Sequence, residues 1–277
     1  LSDPGVAVRA EGLGLRRRRG WALRDCSFEL PAGSVTALVG ANGAGKSTLL
    51  KIAAGLLRPS EGAVATRGSV GFVAQDKPLY RGFTVAEMLR FGRVTNAEDW
   101  DDTYARQLVG EAALPLSAKV NRLSGGERAR LALVLALARR PDVLLLDEPL
   151  SEMDPVARED VLRTLMVAVA ETGVTVVLST HVVSDLDGVC DHLLLLDRGV
   201  VQLAGEVEEL LDNHRVVLAG RGDLGDHQVI LGRGGEHRGT TLVRVTGELD
   251  VPEELVSAPG LEELVIAYLR ANRGVAA

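Results

Sequence analysis

Nine residues, Gly40-Ala41-Asn42-Gly43-Ala44-Gly45-Lys46-Ser47-Thr48, have the types and spacing to hold a polyphosphate. Glycines let the backbone turn tightly enough for successive amide N–H groups to converge on phosphate oxygens, and a helix starting after the loop adds its positive end. Lys46 then supplies a point charge to the outer phosphates, and Ser47 a hydroxyl to Mg2+. Further on, Leu144-Leu145-Leu146-Asp147-Glu148-Pro149 ends an apolar run in two consecutive carboxylates. Asp147 is placed to hold Mg2+ directly or through water. Glu148, one residue on, faces another way, which suits a base that orients or deprotonates an attacking water. Taken alone, Asp-Glu-Pro after a strand is also an ordinary surface turn. Between the two segments lies Leu123-Ser124-Gly125-Gly126-Glu127. Its serine hydroxyl and glycine amides, at the start of a helix, form a second anion site, and Ser-x-x-Glu is at the same time a capping box.

These segments need a scaffold that delivers loops to one edge. Ser34–Val39, Val143–Leu146, Val174–Leu178 and Leu193–Leu196 are compact apolar runs that end at polar residues, as central parallel strands do. Helical periodicity follows in Ser47–Leu56, Glu127–Ala138 and Pro155–Glu171. This alternation predicts a doubly wound α/β core. Val6–Arg9, Leu23–Leu30 and Ala63–Thr66 carry shorter β-prone runs broken by Gly and Pro, which predicts an antiparallel patch. Residues 77–122 interrupt the pattern with helices expected over Thr84–Phe91 and Thr103–Ala113, a small helical insertion. Past Gly205 come short strands, Val216–Ala219, Val229–Leu231 and Leu242–Val245, the Gly-rich Arg233-Gly234-Gly235, and a helix near Leu261–Ala271. The expected division is a main domain over 1–211 and a small α/β appendage over 212–277. The chain shows no internal repeat and no coiled-coil heptads.

Composition narrows the function classes. With 46% hydrophobic and 3% aromatic residues, the interior is built from Leu, Val and Ala, as buried parallel strands faced by helices require. A net charge of -7 argues against general affinity for nucleic acid. Arg16-Arg17-Arg18-Arg19 is a local exception, read as a solvated turn or as a contact for nucleotide phosphate or anionic lipid headgroups. Cys26 and Cys190 match no metal-ligand spacing and read as buried reduced thiols of a cytosolic protein. The apolar runs are too short to span a bilayer and no signal peptide opens the sequence, so the expected location is cytoplasmic.

Together, Gly40–Thr48, Gln75, Leu123–Glu127, Leu144–Pro149, Leu150-Ser151-Glu152-Met153-Asp154 and Ser179-Thr180-His181 resemble the motif set of ATP-binding-cassette (ABC) ATPases over roughly residues 6–211. The resemblance implies a P-loop NTPase fold: an α/β core with a mainly parallel sheet, an antiparallel β subdomain and a small helical subdomain. It implies ATP and Mg2+ as cofactors. Gly40, Asn42, Gly43, Ala44, Gly45, Lys46, Ser47 and Thr48 would surround the phosphates, and Ser47, Gln75 and Asp147 would hold Mg2+. Glu148, His181, Gln75 and Lys46 would act in hydrolysis. It further implies a head-to-tail dimer, with itself or with another ABC ATPase, in which Ser124, Gly125, Gly126 and Glu127 cap ATP held by the neighbour. Asp154 would communicate across that interface. Separately encoded permease subunits would dock near Gln75 and Lys77–Phe91, leaving this chain peripheral on the cytoplasmic face of a membrane.

Where this family stacks an aromatic on adenine, the chain reads Leu15-Arg16-Arg17-Arg18-Arg19-Gly20-Trp21, so adenine is expected on Arg17 or on Trp21 from a shifted register. Glu152-Met153 stands where the family has small and Leu residues. Taken singly, Gln75 is an unremarkable residue after a strand, His181 a structural histidine, and Asp154 an N-cap before Pro155. Pro259-Gly260-Leu261-Glu262-Glu263-Leu264 is similar to the ending of small-molecule exporter subunits and points to export. The alternative is a non-transport ABC ATPase acting on nucleic acid or ribosomes, disfavoured by the acidic balance and the lack of coiled coils.

Overall fold

The computed structural model describes residues 5–18, 20–151, 153–186, 188–218, 224, 227–231, 240–247 and 249–274. It opens with a hairpin of β1 (Val6–Arg17) and β2 (Gly20–Pro31), followed by β3 (Val35–Val39), α1 (Lys46–Ala53), β4 (Glu61–Thr66) and β5 (Val70–Val73). β1 pairs antiparallel with β2 and β4, giving the expected antiparallel sheet in the order β2-β1-β4. The hairpin outruns its apolar pattern at both ends. Arg16 and Arg17 therefore belong to β1 rather than to a turn, and of the described residues of the arginine run only Arg18 lies beyond the strand.

The helical insertion holds α2 (Val85–Thr95) and α3 (Asp102–Glu111) and leads into α4 (Gly125–Leu137). Thr84 caps α2 through a reciprocal bond with Glu87, whose carboxylate accepts from the Thr84 amide at 2.7 Å. β6 (Val143–Leu146), α5 (Pro155–Thr172), β7 (Thr175–Thr180), β8 (His192–Asp197) and β9 (Val200–Glu206) complete the main body. The main sheet runs β5-β6-β7-β3-β8-β9, parallel throughout except for the β8–β9 pair.

Every residue of β3, β6 and β7 is buried, which is why these strands are predominantly apolar, β6 without a break. Their alternation sorts side chains onto the two faces of the sheet. Leu144 and Leu146 pack with α4 and α5 residues such as Leu131, Val134 and Leu165. Val143 and Leu145 pack with Leu13 and Leu23 of the hairpin and Leu49 and Leu50 of α1. Met88, Tyr104 and Leu108 of the insertion join the first of these clusters, so the insertion is anchored to the core rather than hung from it. Cys26 is fully buried, its Sγ 3.2 Å from the Gly199 carbonyl, and burial pushes its thiol pKa up; Cys190 is only half-buried.

After α6 (Val207–Asp212) come β10 (His214–Val217), β11 (Gln228–Leu231), β12 (Thr241–Arg244), β13 (Val256–Ser257) and α7 (Leu261–Gly274). The strands form an antiparallel sheet in the order β11-β12-β10-β13. The Gly-rich Arg233-Gly234-Gly235 lies outside the described residues. One side of this small sheet packs under α7, where Val216, Leu242, Leu261, Leu264 and Val265 run continuously into the main core. The other side has its own small cluster of Val217, Leu224 and Val243.

Candidate active site

The carboxyl ends of β3, β6 and β7 deliver the candidate residues to one edge of the sheet. Gly40 leaves β3 pressed against its neighbour β8: a Cβ there would stand 2.2 Å from the Leu196 carbonyl oxygen. Gly45 enters α1 with φ of 111°, and its missing Cβ would meet the Ala22 carbonyl oxygen at 2.7 Å. Both positions exclude any larger residue. The loop between them lines a cleft of about 430 Å³ with Arg17, Ala22, Asn42, Gly43, Ala44, Gly45, Lys46, Ser47, Thr48, Gln75 and Glu148. Lys46 is 5% exposed and folds back over its own loop, donating to the Gly40 carbonyl at 2.7 Å.

Asp147 and Glu148 diverge, as their position after a strand requires. Asp147 Oδ1 accepts from Ser47 Oγ at 2.9 Å and from Ser179 Oγ at 3.1 Å. Glu148 turns the other way: its Oε1 lies 3.2 Å from Lys46 Nζ and its Oε2 2.8 Å from His181 Nδ1. The turn rests on a left-handed backbone at Glu148, φ 49°, which costs about 1–3 kcal/mol for a residue other than glycine. Surrounding bonds hold it there. The Glu148 amide donates to Ser179 Oγ at 2.9 Å, and Ser151 Oγ donates to the Glu148 carbonyl at 2.7 Å. Ser179, fully buried, touches both acidic residues' positions; it is not among the candidate site residues read from the sequence, although the polar end of an apolar strand carries the signal.

Gln75 lines both this cleft and an adjoining one of about 580 Å³, where it stands with Ser47, Asp76, Lys77, Arg128, Gly125 and Asp147. The pentapeptide lies apart from the phosphate loop's cleft. Ser124 caps α4 by accepting from the Glu127 amide at 3.2 Å, and Glu127 returns the bond by accepting from the Ser124 amide at 2.7 Å. That amide bond holds the Glu127 carboxyl below the usual carboxylate range. Gly126 packs against α5, with Ala157 Cβ 3.3 Å from where its own Cβ would be. Asp154 caps α5, accepting from the Ala157 amide at 3.0 Å ahead of Pro155. Glu152 lies outside the described residues.

The structure separates the two residues considered for the base. Arg17 lines the cleft, whereas Trp21 does not: its ring packs on Gly14, beside the Arg16 guanidinium at 5.8 Å. No helix among the described residues is long and apolar enough to cross a membrane.

Such a parallel sheet, with a glycine loop wrapped around a lysine and an acidic strand end beside it, defines a P-loop NTPase core. A sequence model of the ABC transporter family matches residues 23–151. The Fe(3+) ions import ATP-binding protein FbpC of Pseudomonas fluorescens is 34% identical over 212 residues, which are 70% of this chain and 60% of its own length. An uncharacterized ABC transporter ATP-binding protein of Methanocaldococcus jannaschii is 30% identical over 194 residues, covering 68% of this chain and 73% of its own. The solved structure of cbiO1 from Clostridium perfringens, part of the ABC transporter complex cbiONQ, is similar with a TM-score of 0.66 at 26% identity, over 75% of this chain and 91% of that one. The chain belongs to the ABC transporter ATP-binding protein family, and it spans 60% of the length of its relative FbpC.

Proposed function

We propose that this chain hydrolyses ATP to ADP and phosphate and energises transport through separately encoded membrane subunits. The observation that carries the reading is the divergence of Asp147 and Glu148: one carboxylate meets Ser47, the other meets Lys46 and His181. A metal-side acid and a water-side base are thereby held on opposite sides of one strand end. Ser47, Asp147 and Gln75 present hydroxyl, carboxylate and amide oxygens, hard donors that fit Mg2+ with phosphate and water completing its shell. When bound, the ion neutralises charge on the phosphate oxygens. The chain's own part is to hold the phosphates on the Gly40–Thr48 amides and Lys46, and to accept a proton from the attacking water at Glu148, which His181 orients.

Ser124, Gly125, Gly126 and Glu127 serve the nucleotide of a second cassette in a head-to-tail dimer: none of the four lines the phosphate-loop cleft, and Gly125 reaches only the adjoining cleft that Ser47 and Asp147 share. The permease docks at the groove beside Gln75 and Lys77–Phe91, which places the chain peripherally on the cytoplasmic face. Residues 1–211 form the ATPase domain and 212–277 its appendage, fused to it along α7. Pro259–Leu264, the lead-in to α7 and its first turn, points to export, whereas FbpC is named for import; direction belongs to the membrane partner. The test is to purify the full chain from membranes of its own cell and measure ATPase activity in vesicles carrying the co-purified protein. Stimulation there is expected; stimulation by DNA or RNA instead, with no membrane protein retained, overturns the transport reading.

A further inference from the structure

Ser47 and Gln75 line two clefts at once, so the space around the phosphate loop continues past them into the adjoining cleft of about 580 Å³. In the ATPase reading these two residues flank the outermost phosphate and its Mg2+. The second cleft therefore begins where phosphate is released. Its walls are basic: Lys51, Lys77, Arg81 and Arg128 line it against the carboxylates of Asp76 and Asp147, in a chain whose net charge is -7. Asp147 already accepts from the hydroxyls of Ser47 and Ser179. A positive recess in an acidic protein gathers anions there rather than over the whole surface.

Local structure explains how the cations come together. Lys51 stands four residues after Ser47 on α1, and residues at that spacing share one face of a helix. Arg128, near the start of α4, donates from Nη1 to the Leu123 carbonyl at 2.6 Å. This bond holds the guanidinium at the cleft and uses only one of its several N–H donors. Arg81 lies ahead of α2, and its carbonyl accepts from the Asn121 amide at 3.1 Å, which ties its segment to the turn before the pentapeptide. Leu79 and Val120 add apolar wall.

We propose that this cleft is an anion subsite for inorganic phosphate, in which Lys51, Arg81 and Arg128 hold the product after it leaves the phosphate loop. The inference rests on the ATP-hydrolysis reading and deepens it. The three cations come from three separate segments, and donors so arranged suit an anion that carries oxygens on every side. The guanidinium forks match pairs of phosphate oxygens, and the lysine adds a point charge. Phosphate then has a way out that does not pass the nucleotide.

Equilibrium dialysis with radiolabelled inorganic phosphate, on the full chain saturated with ADP and Mg2+, tests the subsite. Wild type is expected to bind phosphate saturably. K51A/R81A is expected to weaken phosphate by about tenfold or more, the loss of charge-assisted bonds, while ADP affinity stays unchanged and shows that the variant is folded. Arg128 is left in place because it holds the Leu123 carbonyl. R90A/R270A removes the same charge from exposed positions on α2 and α7 and is expected to leave phosphate affinity unchanged. In turnover assays, inhibition of K51A/R81A by added phosphate is expected to weaken by the same factor, with KM for ATP unchanged. Wild-type phosphate affinity in K51A/R81A places phosphate on the loop alone and overturns the proposal. So does an equal loss in R90A/R270A, which makes the effect one of general charge, or a parallel loss of ADP affinity in K51A/R81A, which makes the two residues part of the nucleotide grip. Wild type that binds ADP but no phosphate overturns it as well. A chain that binds neither removes the nucleotide reading itself, an outcome distinct from phosphate binding that ignores Lys51 and Arg81.

Discussion

Lys46 Nζ lies 3.2 Å from Glu148 Oε1, with both side chains buried beside the phosphate loop. The lysine proposed to hold the outer phosphates is thus paired with the carboxylate proposed to activate water. The pair explains how each charge is tolerated out of solvent: Lys46 also donates to Gly40, and Glu148 also meets His181. On the proposed reading, a nucleotide entering the cleft would compete with Glu148 for the lysine. Binding would then redistribute this pair's charge before chemistry begins, and variants at either end test different halves of the site.

E148Q removes the base and leaves the phosphate grip intact. Turnover is expected to fall by about 100- to 10,000-fold, the usual contribution of a general base, while ATP binding is retained. Lys46 then lacks its carboxylate when no nucleotide is present, so the rise in melting temperature on adding ATP is expected to exceed that of wild type. With hydrolysis blocked, an ATP-dependent dimer is expected on gel filtration. Turnover within a few fold of wild type would remove Glu148 from the role of base.

K46A takes away the charge at the other end. ATP binding is expected to be lost in a calorimetric titration, because the outer phosphates then face only neutral amides and a hydroxyl. Glu148 keeps His181 but loses its buried cation, so the melting temperature without nucleotide is also expected to drop, the stability lost being smaller than the roughly 3–5 kcal/mol of a fully unpaired buried charge. ATP binding at wild-type affinity would contradict the assignment of Gly40–Thr48 as the phosphate loop.

Ser179 is expected to act as a positioning residue. Its hydroxyl donates to Asp147 Oδ1 at 3.1 Å and accepts the Glu148 amide at 2.9 Å, tying the metal-side and water-side carboxylates to one buried atom. S179A is expected to lower kcat and shift the Mg2+ dependence to higher concentration, each by about tenfold, with little change in KM for nucleotide. A fall in melting temperature with kcat and Mg2+ dependence unchanged would reduce Ser179 to a structural bond.

Much of this arrangement is legible in the sequence because the phosphate loop and the acidic strand end depend on local chemistry. Gly45 must be glycine for its φ of 111°, and β6 must be apolar because both its faces are covered. What escapes is set by register and by long-range pairing. Trp21 is next to the right place in sequence and on the wrong face in space, because a single bulge at Ala22 reverses it. β5, with the short sequence Val70-Gly71-Phe72-Val73, carries too few residues to show a period, yet it pairs in register with β6 along its whole length. β9 is half-buried at a sheet edge and lacks the unbroken apolar run that marks the central strands. The Lys46–Glu148 pair spans the loop after β3 and the end of β6, a contact no spacing rule contains.

The appendage's attachment is expected to weaken in acid through His214. Its ring is fully buried between α6 and α7: Nδ1 lies 2.6 Å from the Leu210 carbonyl and Nε2 2.9 Å from Tyr268 Oη. The carbonyl accepts only, so Nδ1 carries a proton, and in the neutral ring Nε2 accepts from the tyrosine hydroxyl. Burial lowers the His214 pKa, the nearby Arg244 charge lowers it further, and the Leu210 carbonyl opposes them. The unfolded chain therefore binds the proton more readily than the folded one. Stability is complete above the ordinary histidine range near pH ~6.5 and is lost as pH falls below it. Replacing both partners, H214F with Y268F, removes the titrating ring and the hydroxyl together, so no donor is stranded at Tyr268. Melts at pH 7.5 and 5.5 should show a larger drop in wild type than in the double variant, by about 2–4 °C for each kcal/mol that linkage removes. Equal drops in the two proteins would mean that acid acts elsewhere, for instance on the Glu127 cap, whose lowered pKa gives stability that is likewise lost on acidification but at lower pH.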